Sequence, residues 1–441
     1  MKKKIMTFAL SSMSAISFAD VNLYGRVAVG LEQDAFQNTT VPQSGNIQDM
    51  GSYFGIRGSD PIYGETAAVW QVEQFLDIAS GQAYYQDTAS GMIAPAPGAT
   101  SNAGRVKSET NVLAGGETYL GLQGGWGFLR LGNISNYMRA QMGNVDLYNY
   151  NNGVNGLGTY SRTSRLLSTA IGYSSPVWNG FSLSGMYSYQ SNGGINISSV
   201  NAGNNLNANL NGYYSGGVIS GGIGYNAGPI VVRLGGQLYQ NVGEYNTGVG
   251  IQNGSGVSGS SVYKNAYNTR LELGYDSGED AIVGIGYQVS SGLGWASWAN
   301  SGGSFNNFIY NGNAPTGLTA AQYQTQEVAA TLGWHLGPWT PKVSYAYGGN
   351  MMYGGNMWNV ITGTANQING TGYNQVVAEL DWNVTPKTIV FANFGQQWWG
   401  STLQNVSYCG TACSTAGTVV DGSNQYKMDQ LSAAIGFTHT F

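Results

Sequence analysis

The chain has 441 residues and a formal charge of −5, and only 9% of its residues are Asp, Glu, Lys or Arg, against roughly a quarter in ordinary soluble domains. A mean hydropathy of −0.16 excludes a bundle of membrane-spanning helices, and the mild acidity excludes a nucleic-acid footprint. What is left is a chain rich in Gly (68), Tyr (30) and Trp (11), whose neutral polar and apolar surfaces a barrel with a lipid-facing wall and a polar lumen would keep apart.

The N-terminus reads as an export signal over residues 1–19. Lys2, Lys3 and Lys4 precede an apolar stretch from Ile5 to Phe18, and Ser17-Phe18-Ala19 forms a small-x-small cleavage site before Asp20. The stretch is too short for a spanning helix, which needs about 20 apolar residues. Its removal takes three lysines and no acids, so 14 basic residues face 22 acidic ones and the formal charge becomes −8.

From residue 20 to 441 the chain reads as one domain of strand-length segments with period-2 alternation. The first sets Val21, Leu23, Val27, Val29 and Leu31 against Asn22, Tyr24, Arg26 and Glu32. The pattern predicts sixteen strands, at about 21–32, 51–60, 64–77, 117–124, 127–133, 165–175, 180–190, 213–226, 229–241, 264–276, 280–290, 323–336, 340–348, 372–383, 387–397 and 426–441. Seven tight turns, among them Gly124-Gly125-Trp126, Gly337-Pro338-Trp339 and Val384-Thr385-Pro386, alternate with eight long loops rich in Asn, Gly, Ser and Thr. That alternation fits an all-β, antiparallel up-and-down transmembrane barrel with turns at one rim and loops at the other. Sixteen strands leave a lumen open to water. Leu120, Leu122, Leu271, Leu273, Val343 and Tyr345 are among the residues expected to face lipid, with Tyr and Trp gathered at strand ends.

Cys409 and Cys413, a close pair inside a loop of an exported chain, read most simply as a small disulfide. The segment lacks the further ligands a metal needs, and no cofactor motif occurs: Gly222-x-Gly224 followed by Gly228 has the wrong spacing for a dinucleotide loop and reads as turn chemistry. The two histidines, His335 and His439, have no nucleophile motif near them, so no catalytic residue is assigned. His335 is expected on a strand, facing the lumen.

Several stretches resemble the Gram-negative general porins of the β-proteobacterial type: Val21-Asn22-Leu23-Tyr24-Gly25, Phe54 to Asp60, Ala67 to Phe75, Tyr119-Leu120-Gly121-Leu122 with Gly127 to Gly132, Gly172 to Pro176, and the last strand ending in Phe441. The resemblance implies a homotrimeric, water-filled channel in the outer membrane of a Gram-negative bacterium. It also implies a third long loop folded into the lumen, and a Phe441 that is read by the barrel-insertion machinery. In two respects the chain departs from that pattern: Asn133 follows Leu131-Gly132 where the family usually has Arg, and loop three, about 134–164, carries a single acid, Asp146.

By alternation Arg26, Arg57, Arg130, Arg162 and Arg233 point inward, as do Glu73, Glu272, Glu327, Glu379 and Asp381. The expected constriction sets Arg26, Arg57, Arg130 and Arg162 opposite Asp146 and Tyr148 on loop three, since charge lining a narrow lumen sets ion preference. The function expected is passive diffusion of small hydrophilic solutes and ions with a modest preference for anions. A solute-specific channel, suggested by loop aromatics such as Tyr137, Tyr148, Trp295 and Trp358, and a surface adhesin or antigen remain as alternatives.

Overall fold

The computed structural model describes residues 21–36, 45–80, 82–84, 114–149, 154–161, 163, 165–189, 217–240, 244–246, 261–263, 265–291, 324–353, 357–362, 365–401 and 430–441. Sixteen strands form the wall: β1 (Asn22–Phe36), β2 (Ser52–Tyr63), β3 (Thr66–Asp77), β4 (Thr118–Gly124), β5 (Gly127–Ser135), β6 (Leu166–Ser174), β7 (Phe181–Ser188) and β8 (Val218–Ala227). They continue with β9 (Ile230–Tyr239), β10 (Ala266–Asp276), β11 (Ala281–Ser291), β12 (Gln324–Trp334), β13 (Trp339–Gly348), β14 (Tyr373–Thr385), β15 (Thr388–Trp399) and β16 (Gln430–Thr440). Each pairs antiparallel with its neighbours in chain order. The sheet closes where β16 pairs with β1, from Arg26↔Thr440 to Phe36↔Gln430. Closure satisfies the backbone N–H and C=O groups that lipid cannot, and leaves no open edge.

Alternation sorts the two faces as expected. Leu31, Leu120, Leu131, Ile285, Leu332 and Ile435 are each at least half exposed, an apolar outer band, while Glu73, Arg270, Glu327 and Gln375 on the opposite parity are buried inside. Aromatic pairs mark the rim of short turns: Trp126 stacks on Tyr173, Trp339 on Trp382, and Phe181 lies against Tyr225. Such rings sit well between hydrocarbon and water. Phe441 completes the seam, its N–H donating to Gly25 O at 3.1 Å. Gly25 has no side chain to obstruct the ring; a Cβ there would lie 2.5 Å from Phe441 Cζ.

The short strand Gly45–Asp49 pairs with the outer half of β1, and β2 takes over the inner half. The break between them is at Gly51, whose φ of +97° is ordinary for glycine and costly for most other residues. Two expectations are corrected. Gly222 and Gly224 lie within β8 and only Gly228 is in the turn. His335 lies just past the end of β12, at the β12–β13 turn, bonded to Asp276 Oδ1 at 3.0 Å, and not within a strand.

Candidate functional site

The third long connection starts at β5 and turns into the barrel. Asn136 is buried and caps the short helix α1 (Tyr137–Ala140), its side chain accepting from Met138 N. The same side chain accepts from Ser220 Oγ on β8 and donates to Gln237 Oε1 on β9. Tyr137, Met138 and Met142 pack with Ile134, Leu167, Met186, Val218 and Tyr239 as a compact apolar cluster inside the wall. Burying these side chains is worth about 1.5–3 kcal/mol each, which fixes the entry of the loop.

Beyond α1 the loop follows the inner wall. Asn144 N donates to Glu272 Oε2 on β10, and Val145 O accepts from Thr331 on β12. Leu147 O accepts from Lys342 Nζ on β13 at 2.8 Å, and Asn149 N donates to Glu379 Oε1 on β14 at 3.0 Å. Asn155 then binds Glu32 on β1 and Ser432 on β16, while its carbonyl accepts from Asn393 on β15. The approach is close because the wall beneath lacks side chains. A Cβ at Gly284 would overlap Asn144 O, and one at Gly395 would overlap Val154 O. Gly222 and Gly235 likewise leave room for Tyr137 and Met142.

Charges under the loop are matched in sets. Lys342 Nζ lies 2.7 Å from Glu379 and 2.8 Å from Asp381. Arg270 faces Glu272 at 3.4 Å, both 1% exposed, and donates to Tyr160 O. Such pairs hold together only with good geometry and further hydrogen bonds, which the loop carbonyls supply.

The opposite wall, β1 to β6, is different. Tyr24 donates to Glu73 Oε2 at 3.0 Å and Arg57 lies over its ring, 5.0 Å from the centroid. Arg26 spans to the loop, its Nη2 donating to Asn149 O at 2.7 Å, while Nε donates to Thr438. Neither Arg26 nor Arg57 has a carboxylate within 4 Å among the described residues. Arg130 is paired, 2.9 Å from Glu117.

The expected constriction residues therefore separate. Arg26, Arg57 and Arg130 share one wall; Arg162 lies outside the described residues, as do residues 1–19, Cys409 and Cys413. Asp146 accepts from Leu157 N at 3.2 Å and lies 3.8 Å from Arg139, and it forms no ion pair with Arg26, Arg57 or Arg130. Tyr148 is directed to the far wall, donating to Ser344 Oγ at 2.5 Å and Val377 O at 3.0 Å. Burial pushes its phenol well above the usual range, helped by the charges of Asp146 and Glu379, and it remains a neutral donor. Burial also lowers the Arg139 guanidinium, with Asp146 opposing.

Three contributors were not singled out from sequence: Glu117, Arg165 and Lys342. Lys342 was accessible to the same alternation, since Val343 and Tyr345 face lipid. Arg165 precedes β6, lying 4.5 Å over the Phe75 ring and 4.0 Å from Glu73.

A closed sixteen-stranded barrel with an apolar outer band and a polar lumen holding an inward loop defines an outer-membrane β-barrel channel. The family model for Gram-negative porins matches residues 6–397, and the chain belongs to that family. It is 26% identical over 429 residues to "Major outer membrane protein P.IB" of Neisseria lactamica, covering 95% of this chain and 98% of that one. Its fold is similar to the anion-selective porin from Comamonas acidovorans (TM-score 0.58, 14% identity, 96% of this chain and 100% of that one). It is also similar to the trimer form of OmpT from Vibrio cholerae (TM-score 0.54, 14% identity, 96% and 99%). The protein is a passive channel of the Gram-negative outer membrane and not an enzyme. Of the readings the sequence left open, the general diffusion channel is the one that this membership supports.

Proposed function

We propose that the constriction lies between the β1–β6 wall and loop three, and that it gives this channel a modest preference for anions despite a net acidic chain. The observation that carries this reading is the unequal pairing of charge: Arg26 and Arg57 have no carboxylate partner among the described residues, whereas Glu272, Glu379 and Asp381 are engaged with Arg270 or Lys342. Local charge outweighs net charge because the ionic atmosphere screens anything beyond roughly 8 Å. The reversal potential of the purified protein in a potassium chloride gradient tests this. Its sign should report a chloride preference, and a clearly cation-selective wild type would end the reading.

The assembly belongs to the same proposal. Residues 1–19 are cleaved on export, which N-terminal sequencing beginning at Asp20 supports and sequencing beginning at Met1 rejects. The barrel is a homotrimer, a reading favoured by the trimer form of the similar OmpT and checked by cross-linking in intact outer membrane. Phe441 serves as a signal to the insertion machinery. Deleting it should cut outer-membrane yield by far more than the few kcal/mol that one aromatic contributes.

A further inference from the structure

The paving of the bare wall by rings has a consequence for the solute. Gly55 lacks a side chain where Tyr24 crosses it, and a Cβ there would lie 2.5 Å from Tyr24 Cζ. The tyrosine therefore lies along the wall between β1 and β3, its hydroxyl on Glu73 and its ring beneath Arg57. Arg57 is exposed. Ring contact occupies one side of its guanidinium, and its N–H groups have no hydrogen-bond or ion-pair partner among the described residues.

Cross-strand register extends this surface. Arg57 on β2 is the Cα partner of Gln71 on β3, and Gln71 is the partner of Tyr119 on β4. Two strand spacings put Arg57 and Tyr119 about 10 Å apart in one row. Gln71 between them is already bound, donating to Glu117 O and accepting from the Tyr119 hydroxyl, and so forms a flat floor. At the far end Arg130 lies over Tyr119 and Phe128, at 5.7 and 5.1 Å, with its charge matched by Glu117. The row thus offers one unmatched cation at one end and half-buried ring faces along its length.

We propose that the Arg57–Gln71–Tyr119 row is a binding subsite for planar organic carboxylates of the benzoate type, which it holds in preference to saturated anions of equal size and charge. This rests on the lumenal, anion-preferring role proposed above for Arg57. A carboxylate paired bidentately with a guanidinium lies in the plane of the fork, and conjugation keeps an attached aromatic ring in that plane. The ring then extends along the row over the floor toward Tyr119. A saturated ring cannot stay in that plane, and chloride has nothing to stack. Guanidinium planes stack readily because they are weakly hydrated, so the face of Arg57 turned away from Tyr24 suits passing anions of the same shape.

The test uses the purified full-length channel in planar bilayers with chloride as the current carrier, adding sodium benzoate or sodium cyclohexanecarboxylate. Benzoate should block the chloride current saturably, at a concentration about two- to tenfold lower than cyclohexanecarboxylate, the range expected of one ring-on-ring contact at Tyr119. Arg57→Lys keeps a charge and loses the planar fork, so the ratio of the two blocking concentrations should fall to about one. Tyr24→Leu should lower the ratio by a second route. Equal block by the two anions in the wild type, or an undiminished ratio in both variants, would overturn the subsite. A cation-selective reversal potential in potassium chloride would instead overturn the anion preference, a separate reading of the same channel.

Discussion

From β8 to β16 loop three runs along the inner wall, and two matched charge sets lie under it, Arg270 with Glu272 and Lys342 with Glu379 and Asp381, while Arg233 on β9 bonds to the carbonyls of Tyr225 and Val232. On β2, by contrast, Arg57 is exposed, with a tyrosine ring against it and no hydrogen-bond or ion-pair partner among the described residues. Glycines divide the same way. Those at 284 and 395 make room for loop backbone, whereas Gly55 makes room for a ring that remains part of the lumen surface. The covered half stores charge for structure and the bare half presents charge to solutes, so a porin of low charge content can still possess a defined field. That division holds only while the loop stays seated.

The strongest way to break it is at Lys342. Lys342→Met leaves Glu379 and Asp381 together in a buried place, and removing one partner of a buried ionic set costs about 3–5 kcal/mol. It also deletes the bond to Leu147 O. A marked fall in the melting temperature of the purified barrel is expected, with noisier and larger single-channel currents as the loop loosens. A variant that melts like wild type would show that the set is not structural.

Gly284→Val attacks the same seat by volume, because its Cβ would overlap Asn144 O. Overpacking costs about 1–3 kcal/mol, so melting should fall less than for Lys342→Met, with the displaced loop changing conductance. Unchanged conductance would mean that the loop can shift without altering the pore.

On the bare half, Arg57→Gln should move the reversal potential toward cations with melting nearly unaltered. One charge about 4 Å from a passing ion is worth on the order of 1 kcal/mol in water, about fivefold in local ion ratio. Lys387→Gln, in the exposed β14–β15 turn, lies outside the lumen and should shift it little. Equal shifts for the two would make selectivity a matter of net charge.

Much of this was legible before any coordinates. Strand positions, the alternation of turns and loops, and the inward parity of Arg26, Arg57 and Arg130 all follow from a period of two, which is local. Partner choice is not local. Asp146 seemed the natural acid to oppose the arginines because it is the single acid of loop three, but its orientation depends on how 154–161 fold back to give it Leu157 N. Lys342 meets Glu379 through the register of β13 and β14, set across a long connection with no period to read. The wall glycines, evident as Gly284-x-Gly286, mean close approach only once something is known to approach.

A smaller effect of opposite sign distinguishes paired from unpaired charge on the bare wall itself. Glu117 holds Arg130 at 2.9 Å and also accepts from Ser135 N at 3.0 Å, and the two side chains are 12% and 19% exposed. Glu117→Gln keeps an oxygen able to accept from Ser135 and Arg130, so the fold should persist with little change in melting. What changes is that Arg130 no longer has a compensating negative charge. The reversal potential should therefore move further toward anions, by less than Arg57→Gln moves it toward cations, because Arg130, only 12% exposed, is less open to passing ions than Arg57. Arg130→Gln alone should then have a sign opposite to Glu117→Gln, and the double variant should return close to wild type, since the pair is neutral as a unit. If instead the double variant behaves like Arg57→Gln, Arg130 contributes its full charge to the lumen in spite of Glu117, and the bare wall has three active arginines rather than two.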